Sequence, residues 1–143
     1  MAYRLDNNKI QKDPNSAIGV KFPFNGKRVF NSTYTTTEQS SSNLKNLLLT
    51  GRGERYELTK FGTALKFLLF EQQTDELKIA IDEEIRTAVN TWLPYINIEE
   101  LKVDFNTPNN NYININIIYT VSNIQAQESV IISSTATGTI SIE

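Results

Sequence analysis

The amino-acid sequence predicts an α+β protein in which three helices precede a C-terminal antiparallel β-meander. Two observations support this prediction. Between residues 40 and 93, apolar residues recur every three or four positions, which is the spacing of one helix face. Beyond Pro94, apolar and polar residues alternate, which is the spacing of a half-buried strand. The predicted helices span about 40–50, 60–71 and 75–93, and the predicted strands span about 98–105, 112–122 and 128–134.

Length and composition limit the classes of protein to consider. The 143 residues, 39% of them hydrophobic, suit a single domain over residues 1–143. No apolar run approaches the ~18–20 residues of a membrane span, and the first residues lack the apolar segment of a signal peptide. The absence of Cys and His excludes disulfides, thiol nucleophiles, the usual zinc sites and the commonest general base. We therefore expect no cofactor, metal, membrane or small-molecule substrate.

Charge is unevenly distributed along the chain. Residues 1–70 hold 11 Lys and Arg against 5 Asp and Glu, whereas residues 71–143 hold 3 against 11. The two parts therefore carry formal charges of +6 and −8, which give the overall −2. This asymmetry predicts different partners for the two parts, or copies that meet basic face to acidic face.

The N-terminal segments are polar or only briefly apolar. Residues 1–16 show no periodicity, which predicts an extended arm. Two short apolar segments then flank Asn25-Gly26, a dipeptide typical of hairpin turns, so a short N-terminal hairpin is predicted. The Ser/Thr-rich segment 32–42 offers N-caps for the first helix, which we expect to begin between Thr37 and Asn43.

The first helix leads into a charged turn that contains glycines. Leu44, Leu47 and Leu48 share one helix face, and Gly51 and Gly53 end the helix because glycine adopts left-handed backbone angles cheaply. Two interpretations of the turn remain open: a solvated loop with weak ion pairs, or a fixed polar structure that docks a partner. The charges of the turn alternate in sign: Arg52, Glu54, Arg55 and Glu57.

The second helix is predicted from an apolar run that begins at Phe61. The run is apolar on nearly all sides, which is typical of a helix covered by other elements. Thr59 is expected to cap its start. Gly62 and Ala64 leave room for another backbone to approach closely.

The third helix has a regular apolar stripe. Thr74 is a predicted N-cap, and Pro94 ends the helix because proline cannot continue it. The acidic run 82–84 is interpreted as a solvated face. The stripe recurs every three or four residues: Leu77, Ile81, Ile85, Ala88 and Trp92.

The predicted meander has one buried face. Leu101, Val103 and Phe105 lie on one side of its first strand, the second strand alternates isoleucine with asparagine, and a polar turn at 122–128 leads to the third. Residues 135–143 form either an extra strand or a tail. The third strand has no Lys and no Pro to prevent pairing with another chain, so we predict that it is an edge that pairs with a partner. This predicted edge comprises Ser129, Val130, Ile131, Ile132 and Ser133.

Four motifs follow one another between the first helix and the meander: Thr50-x-x-Gly53-Glu54-Arg55, Phe61-Gly62, Leu69-Phe70-Glu71 and a long helix ended by Pro94. The combination of these motifs in this order resembles the small baseplate wedge subunits of contractile phage tails. This sheath-initiator family is sometimes labelled lysozyme-like, and it has relatives in type VI secretion and other contractile injection machines. The resemblance covers about residues 43–132.

Two positions depart from the family pattern. Thr59 stands where the family often has a proline, and it can cap the same helix. Leu93-Pro94-Tyr95 stands where the family has Glu-Pro-Arg, so charged contacts through that Glu and Arg are not carried over.

The resemblance implies a structural protein of the virion tail baseplate, assembled in the host cytoplasm, rather than an enzyme. Its implied partners are other wedge proteins, tube-end proteins and the sheath protein. The C-terminal sheet resembles the interlocking domain of the sheath protein, so residues 129–133 would initiate sheath assembly by edge pairing. The residues assigned to contacts with the wedge are Arg52, Gly53, Glu54, Arg55, Phe61, Gly62 and Pro94.

A muramidase of the baseplate is one alternative. Glycoside hydrolysis needs two carboxyl groups about 5–9.5 Å apart, one with a raised pKa. Glu54 and Glu71 are the best candidates. However, Arg52 and Arg55 beside Glu54 should lower its pKa.

A nucleic-acid-binding module is a second alternative, because the N-terminal half is basic. Its binding would depend strongly on salt. The signatures of the common RNA modules are absent, and the sequence pI of about 5.3 argues against this function. The candidate phosphate contacts are Lys21, Lys27, Arg28, Arg52 and Arg55.

Overall fold

The computed structural model describes residues 16–22, 24, 30–106, 112–122, 124–134 and 140–142. Most of the predicted arm at 1–16 and the Asn25-Gly26 turn lie outside these residues. The predicted order of helices followed by an antiparallel meander is confirmed. The elements are β1 (Gly19–Val20), β2 (Ser32–Thr33), α1 (Thr36–Leu49), α2 (Leu65–Leu68), α3 (Asp75–Trp92), β3 (Ile96–Asn106), β4 (Tyr112–Val121), β5 (Ile124–Ser134) and β6 (Ile140–Ile142).

The N-terminal hairpin is present but short. β1 pairs antiparallel with β2, with Gly19 opposite Thr33. The second strand therefore lies slightly beyond the apolar segment that predicted it. The hairpin is held against α1, where the Phe22 N–H donates to the Ser42 hydroxyl over 3.3 Å.

Helix α1 begins at Thr36, slightly earlier than predicted. The Thr35 side-chain oxygen accepts a hydrogen bond from the Glu38 N–H over 3.2 Å, and the Glu38 carboxylate accepts one from the Tyr34 N–H over 3.2 Å. This reciprocal arrangement resembles a capping box, and it satisfies backbone donors that would otherwise be unpaired at the helix start.

The predicted second helix is present, but its predicted extent over 60–71 is wrong, because only Leu65–Leu68 is helical. Gly62 has φ 112°, far from the helical value, and Thr63 forms a parallel β-bridge with Gly51. The apolar run is also not covered on all sides, since Phe67 and Phe70 are 69% and 73% exposed. The run therefore places one short turn of helix on the surface rather than a central helix.

Helix α3 agrees with the prediction. The Thr74 hydroxyl accepts a hydrogen bond from the Leu77 N–H over 3.3 Å, and the helix ends at Trp92 before Pro94. Glu84 is the exception in the acidic run, because its side chain is only 15% exposed. The buried stripe consists of Leu77, Ile81, Ile85, Ala88 and Val89.

The four C-terminal strands form one antiparallel sheet in the order β3-β4-β5-β6. Alternate residues of β4 are buried, as predicted. Ile115 lies between Val103 of β3 and Ile132 of β5, and both Ile115 and Ile132 are fully buried. A register irregularity between Ile98 and Glu100 interrupts the β3–β4 ladder.

Strand β5 differs from the prediction in two ways. It begins at Ile124, so most of the expected polar turn at 122–128 is strand, with Gln127 opposite Thr120. Its C-terminal end is not an edge, because β6 pairs with Ile132–Ser134. The segment 135–143 thus supplies a short extra strand, one of the two predicted alternatives.

The buried residues of α1, α2, α3 and the sheet form one hydrophobic cluster. Helix α1 contacts β5 and α3 contacts β3, so the helices cover one face of the sheet. None of the helices in the described residues is long and apolar enough to cross a membrane.

Candidate functional site

The loop between α1 and α2, residues 51–64, is termed the knuckle loop. Its two ends are tied together: the Thr63 N–H donates to the Thr50 carbonyl over 2.9 Å, and the Thr63 hydroxyl donates to the Leu48 carbonyl over 3.1 Å. The second bond satisfies a carbonyl at the end of α1 that has no partner within the helix. Thr63 is fully buried, so this junction is part of the folded structure rather than a solvated turn.

Glycine is favoured at two positions of the knuckle loop for different structural reasons. Gly53 has φ 87°, and its N–H donates to the Thr59 carbonyl over 2.8 Å. Thr59 therefore stabilises the loop through its backbone and does not cap a helix. Gly62 has φ 112°, and a Cβ there would overlap the Thr50 carbonyl oxygen. The predicted close approach of another backbone at Gly62 is confirmed.

Glu84 of α3 braces the knuckle loop. Its Oε1 atom lies 2.7 Å from Arg52 Nη2 and accepts a hydrogen bond from the Ala64 N–H over 2.8 Å. One carboxylate therefore links both ends of the loop to α3. This role was not predicted from the sequence, in which Glu84 belongs to an acidic run interpreted as a solvated face. Glu84 lies seven residues after Leu77, three after Ile81 and four before Ala88, and this helical spacing was the available signal.

Glu54 is paired with Lys66. Its Oε1 atom lies 2.5 Å from Lys66 Nζ, and a backbone hydrogen bond from Gly51 also reaches the carboxylate. The Lys66 hydrogen bond and then the Gly51 hydrogen bond lower the pKa of Glu54 below its ordinary value. The direction agrees with the sequence analysis, but its cause is Lys66 rather than the neighbouring arginines.

Arg55 and Phe61 form a stack at the side of the knuckle loop. The Arg55 guanidinium carbon lies 3.8 Å from the centre of the Phe61 ring, and Phe61 meets Trp92 edge to face at 5.2 Å between centroids. These are the geometries of cation–π and aromatic pair interactions. Together with Glu84, they attach the knuckle loop to α3, so the interpretation of a fixed polar structure fits better than that of a solvated loop.

Several large side chains on and beside the knuckle loop are exposed. Tyr56 is 98% exposed, and Leu58, Phe67 and Phe70 are each more than half exposed. Pro94 is exposed at the far end of α3. Nearby, the Tyr95 hydroxyl accepts a hydrogen bond from Asn43 over 2.9 Å, so Tyr95 contacts α1 within this chain.

The side chains of residues 129–133, the predicted edge, alternate between the two faces of the sheet. Val130 and Ile132 are fully buried in the core, whereas Ser129 is exposed and Ile131 is 43% exposed. In the described part of the chain, β6 pairs only with Ile132–Ser134, so the outer side of β5 from Ile124 to Ile131 carries no strand. The unpaired stretch thus extends further towards the N-terminus than predicted.

Glu54 and Glu71, the two candidate carboxylates of a glycosidase, are both exposed. Glu54 has a lowered pKa instead of the raised pKa of a general acid, and Glu71 is exposed after α2. Within the described ranges, no three acidic residues form a group that could hold a metal ion.

Two of the predicted phosphate contacts are engaged within the chain. Arg52 pairs with Glu84, and Arg55 lies on Phe61. Lys27 and Arg28 lie outside the described residues.

Helices packed on one face of a meander also occur in chains of solved structures that match this fold. A chain of the anti-feeding prophage baseplate matches with TM-score 0.62 and 21% identity, covering 73% of this chain and 85% of that one. A chain of the post-contraction R2 pyocin baseplate matches with TM-score 0.56 and 14% identity, covering 67% and 94%. A Geobacter sulfurreducens protein named as a candidate tail lysozyme matches with TM-score 0.64 and 20% identity, covering 71% and 91%.

The chain belongs to the baseplate wedge protein gp25 family, whose model matches residues 37–126. It is therefore a structural baseplate component of a contractile tail or a related injection system. A search of curated proteins gave no significant match.

Proposed function

We propose that this baseplate wedge subunit connects two groups of partners. The knuckle loop and its exposed neighbours contact other wedge proteins and the tube-end proteins, and the outer side of β5 pairs with a strand of the sheath protein and so initiates sheath assembly. The observation that carries the proposal is the incomplete pairing of β5, whose residues Ile124–Ile131 have no strand on their outer side within the described residues.

The chemistry of β5 supports pairing at this position. An unpaired strand presents a row of backbone donors and acceptors, and natural proteins usually protect such a row with Lys, Pro or a covering element. The exposed side chains of β5 from Gln127 to Ile131 include no Lys, and no Pro interrupts the strand. Main-chain hydrogen bonds form whatever the side chains are, so a strand of the sheath protein could pair with β5 with little dependence on the side chains of either strand.

The wedge contact is supported by the rigidity of the knuckle loop. Arg52, Glu54, Arg55 and Phe61 are held by partners within the chain, while Tyr56 remains exposed in the same loop. An aromatic side chain on a fixed support loses little conformational entropy on binding, and aromatic residues are enriched among residues that dominate interface energies. Arg52, Gly53, Glu54 and Gly62 therefore act by shaping the surface that Tyr56, Leu58 and the exposed Phe67 and Phe70 present.

The experiment that tests the sheath contact is assembly on baseplates that contain the wild type or a variant. Lysine on an edge strand opposes pairing, so Ser129→Lys with Ile131→Lys should abolish ordered sheath while the protein stays folded. Both positions are exposed, whereas substitutions at Val130 or Ile132 would disrupt the core. Asn90→Lys, at an exposed position on α3, is the matched control and should assemble normally.

The wedge contact is separated from the sheath contact by co-purification. Tyr56→Ser should reduce recovery of the other wedge proteins, because it removes an exposed aromatic ring without changing the core. Normal sheath on baseplates containing the Ser129→Lys, Ile131→Lys protein would refute the sheath contact. Unchanged recovery with Tyr56→Ser would refute the role of the knuckle loop.

A further inference from the structure

A groove lies between the N-terminal hairpin and α1 and reaches the knuckle loop at Arg55. Its volume is about 370 Å³, and none of its described lining residues is acidic. Three other grooves of similar size each contain at least one carboxylate in their lining. The charge of Arg55 is therefore not balanced by any described residue that lines this groove.

Arg55 is a fixed and partly buried cation. Its guanidinium carbon lies 3.8 Å from the centre of the Phe61 ring, and Phe61 packs edge to face on Trp92 of α3. Among the described residues, no carboxylate pairs with Arg55 and no acceptor takes a hydrogen bond from its guanidinium. A guanidinium has five N–H donors in a planar fork that matches a carboxylate with two parallel hydrogen bonds. Arg55 is thus held in place with its donors available for such a ligand.

The hairpin side of the same groove is apolar. Val20 is 42% exposed and Phe24 is 59% exposed, and both line the groove together with Phe22. Phe24 meets Phe22 and Phe30 edge to face, at 5.4 and 5.6 Å between ring centroids. Contiguous exposed apolar side chains mark contact surfaces more often than isolated ones do. This cluster precedes residue 37, where the family match begins, so it is a feature of this chain outside the matched part.

The combination of one cation with an apolar surface indicates the class of ligand. Nucleic acids carry regularly spaced phosphates that proteins neutralise with several Lys or Arg, whereas Arg55 is the one cation among the described lining residues. A small carboxylic acid would leave Val20 and Phe24 uncovered. A peptide segment covers the apolar side, and the Asn46 amide on the α1 side offers its backbone a hydrogen-bonding group.

We propose that this groove binds a segment of a partner protein in which one Asp or Glu lies beside large apolar residues. The carboxylate accepts two hydrogen bonds from Arg55, and the apolar side chains pack on Val20 and Phe24. This deepens the proposed function, because it gives the wedge side of the subunit a partner of defined chemistry. It rests on the assembly role but not on the contact made by Tyr56.

Peptide binding to the full-length protein tests this assignment. The probe is a labelled peptide with blocked ends, in which one Glu is flanked on each side by two Leu between Gly-Ser spacers, and it is read by fluorescence anisotropy. One control peptide replaces Glu by Gln, and a second keeps Glu but replaces Leu by Ser. The probe should bind, and both control peptides should bind at least about tenfold more weakly. A single-stranded oligonucleotide with the same label should bind more weakly than the probe.

Two substitutions of Arg55 locate the charged contact. Arg55→Met keeps an apolar chain on Phe61 but removes the cation, so it should weaken binding of the probe about tenfold. Arg55→Glu should prefer a peptide that carries Lys in place of Glu, a reversal that a merely structural role of Arg55 would not produce. Lys60→Met is the matched control and should bind normally, because Lys60 is an exposed cation of the same loop that does not line the groove.

A second pair of variants locates the apolar contact. Phe24→Ser should weaken binding of the probe at least about threefold, because it removes an exposed ring from the groove. Phe67→Ser is its matched control, since Phe67 is 69% exposed but lies on α2, and it should bind normally. Urea denaturation of each variant shows whether the protein remains folded.

Equal binding of the Glu and Gln peptides, no effect of Arg55→Met, or tighter binding of the oligonucleotide would overturn the assignment. Dimerisation of the protein that Arg55→Met abolishes would also overturn it, because the groove would then hold a second copy of this chain. Failure of the wedge contact at Tyr56 is detected separately. If the probe binds through Arg55 while Tyr56→Ser leaves recovery of the wedge proteins unchanged, the groove stands and the contact at Tyr56 is wrong. If Tyr56→Ser reduces recovery and no peptide binds, the reverse holds.

Discussion

Replacing Gly62 by alanine tests whether the knuckle loop depends on one close approach between backbones. Gly62 has φ 112°, an angle that residues with a Cβ rarely adopt, and this strain alone costs about 1–3 kcal/mol. The added Cβ would also overlap the Thr50 carbonyl oxygen, which is a backbone atom that cannot rotate away. Relief of that overlap requires the strand-like junction between Thr50 and Thr63 to open.

The second part of the cost comes from the hydrogen bonds at this junction. The Thr63 N–H donates to the Thr50 carbonyl over 2.9 Å, and the Thr63 hydroxyl donates to the Leu48 carbonyl over 3.1 Å. Losing one or both costs about 0.5–1.5 kcal/mol each. The free energy of unfolding should therefore fall by about 1.5–6 kcal/mol in total.

Gly53→Ala is the matched control for this substitution. Gly53 also has a positive φ, of 87°, but an added Cβ there would meet nothing within 4 Å. Only the backbone strain of about 1–2 kcal/mol should appear. Urea denaturation followed by the fluorescence of the single tryptophan measures both variants. If Gly62→Ala costs no more than Gly53→Ala, the close approach to Thr50 does not determine the stability of the loop.

Three further predictions concern single ionisable or polar groups. Glu84→Ala should lower the free energy of unfolding by about 1.5–3 kcal/mol, since it removes the acceptor for two donors. The control Glu83→Ala, at an exposed position, should change it by less than about 0.5 kcal/mol. If urea denaturation shows equal losses of stability in the two variants, Glu84 does not brace the knuckle loop. Tyr119→Phe should change stability by less than about 1 kcal/mol, because the buried hydroxyl has no partner in hydrogen-bonding geometry among the described residues. Burial raises the pKa of Tyr119, and a nearby Ser41 offsets only part of that rise. The contribution of the protonated Tyr119 to stability is therefore present below the ordinary pKa of 10.0 and is lost as the pH rises through the higher folded value. Denaturation at alkaline pH should show a smaller loss of stability in Tyr119→Phe than in the wild type. Lys66 lowers the pKa of Glu54, so the contribution of that carboxylate is complete above the ordinary value of 4.5 and is lost as pH falls through the lower folded value. Acid titration should therefore loosen the knuckle loop in the wild type but have less effect in Lys66→Met, with hydrogen exchange in residues 51–64 as the measurement.

The long helices and the central strand could be predicted because one side of each is buried. Leu44, Leu47 and Leu48 lie on the buried face of α1, and the predicted stripe of α3 is buried from Leu77 to Ala88. Strand β4 alternates buried and partly buried residues along its whole length. In these elements the sequence period and the burial pattern report the same contact with the core.

The failure at α2 has an identifiable cause. An apolar run around Phe61–Phe70 satisfies the pattern of a buried helix, but Phe67 and Phe70 are exposed and Gly62 has a positive φ. The segment before Leu65 pairs with the end of α1 instead of forming helical hydrogen bonds. Composition alone does not distinguish an apolar run that is buried within the chain from one that remains on the surface.

The candidate site was predicted in part. The charged residues and glycines of the knuckle loop were identified from their alternation in sign and from the backbone freedom of glycine. Glu84 was not identified, because its role depends on where α3 passes the loop. The β5 prediction identified a strand but not its pairing, since the short β6 covers only Ile132–Ser134.

The sequence by itself determined that helices precede a meander and that α3 has a buried stripe. These properties depend on residue period, which is a local feature, whereas the lowered pKa of Glu54 depends on Lys66, twelve residues away. Only the tertiary structure decided which strand edges are uncovered, which carboxylate braces the knuckle loop and which aromatic residues remain exposed. Those properties depend on contacts between segments far apart in the chain, such as Arg52 with Glu84 and β5 with β6, and the pattern within one segment carries no information about its neighbours in space.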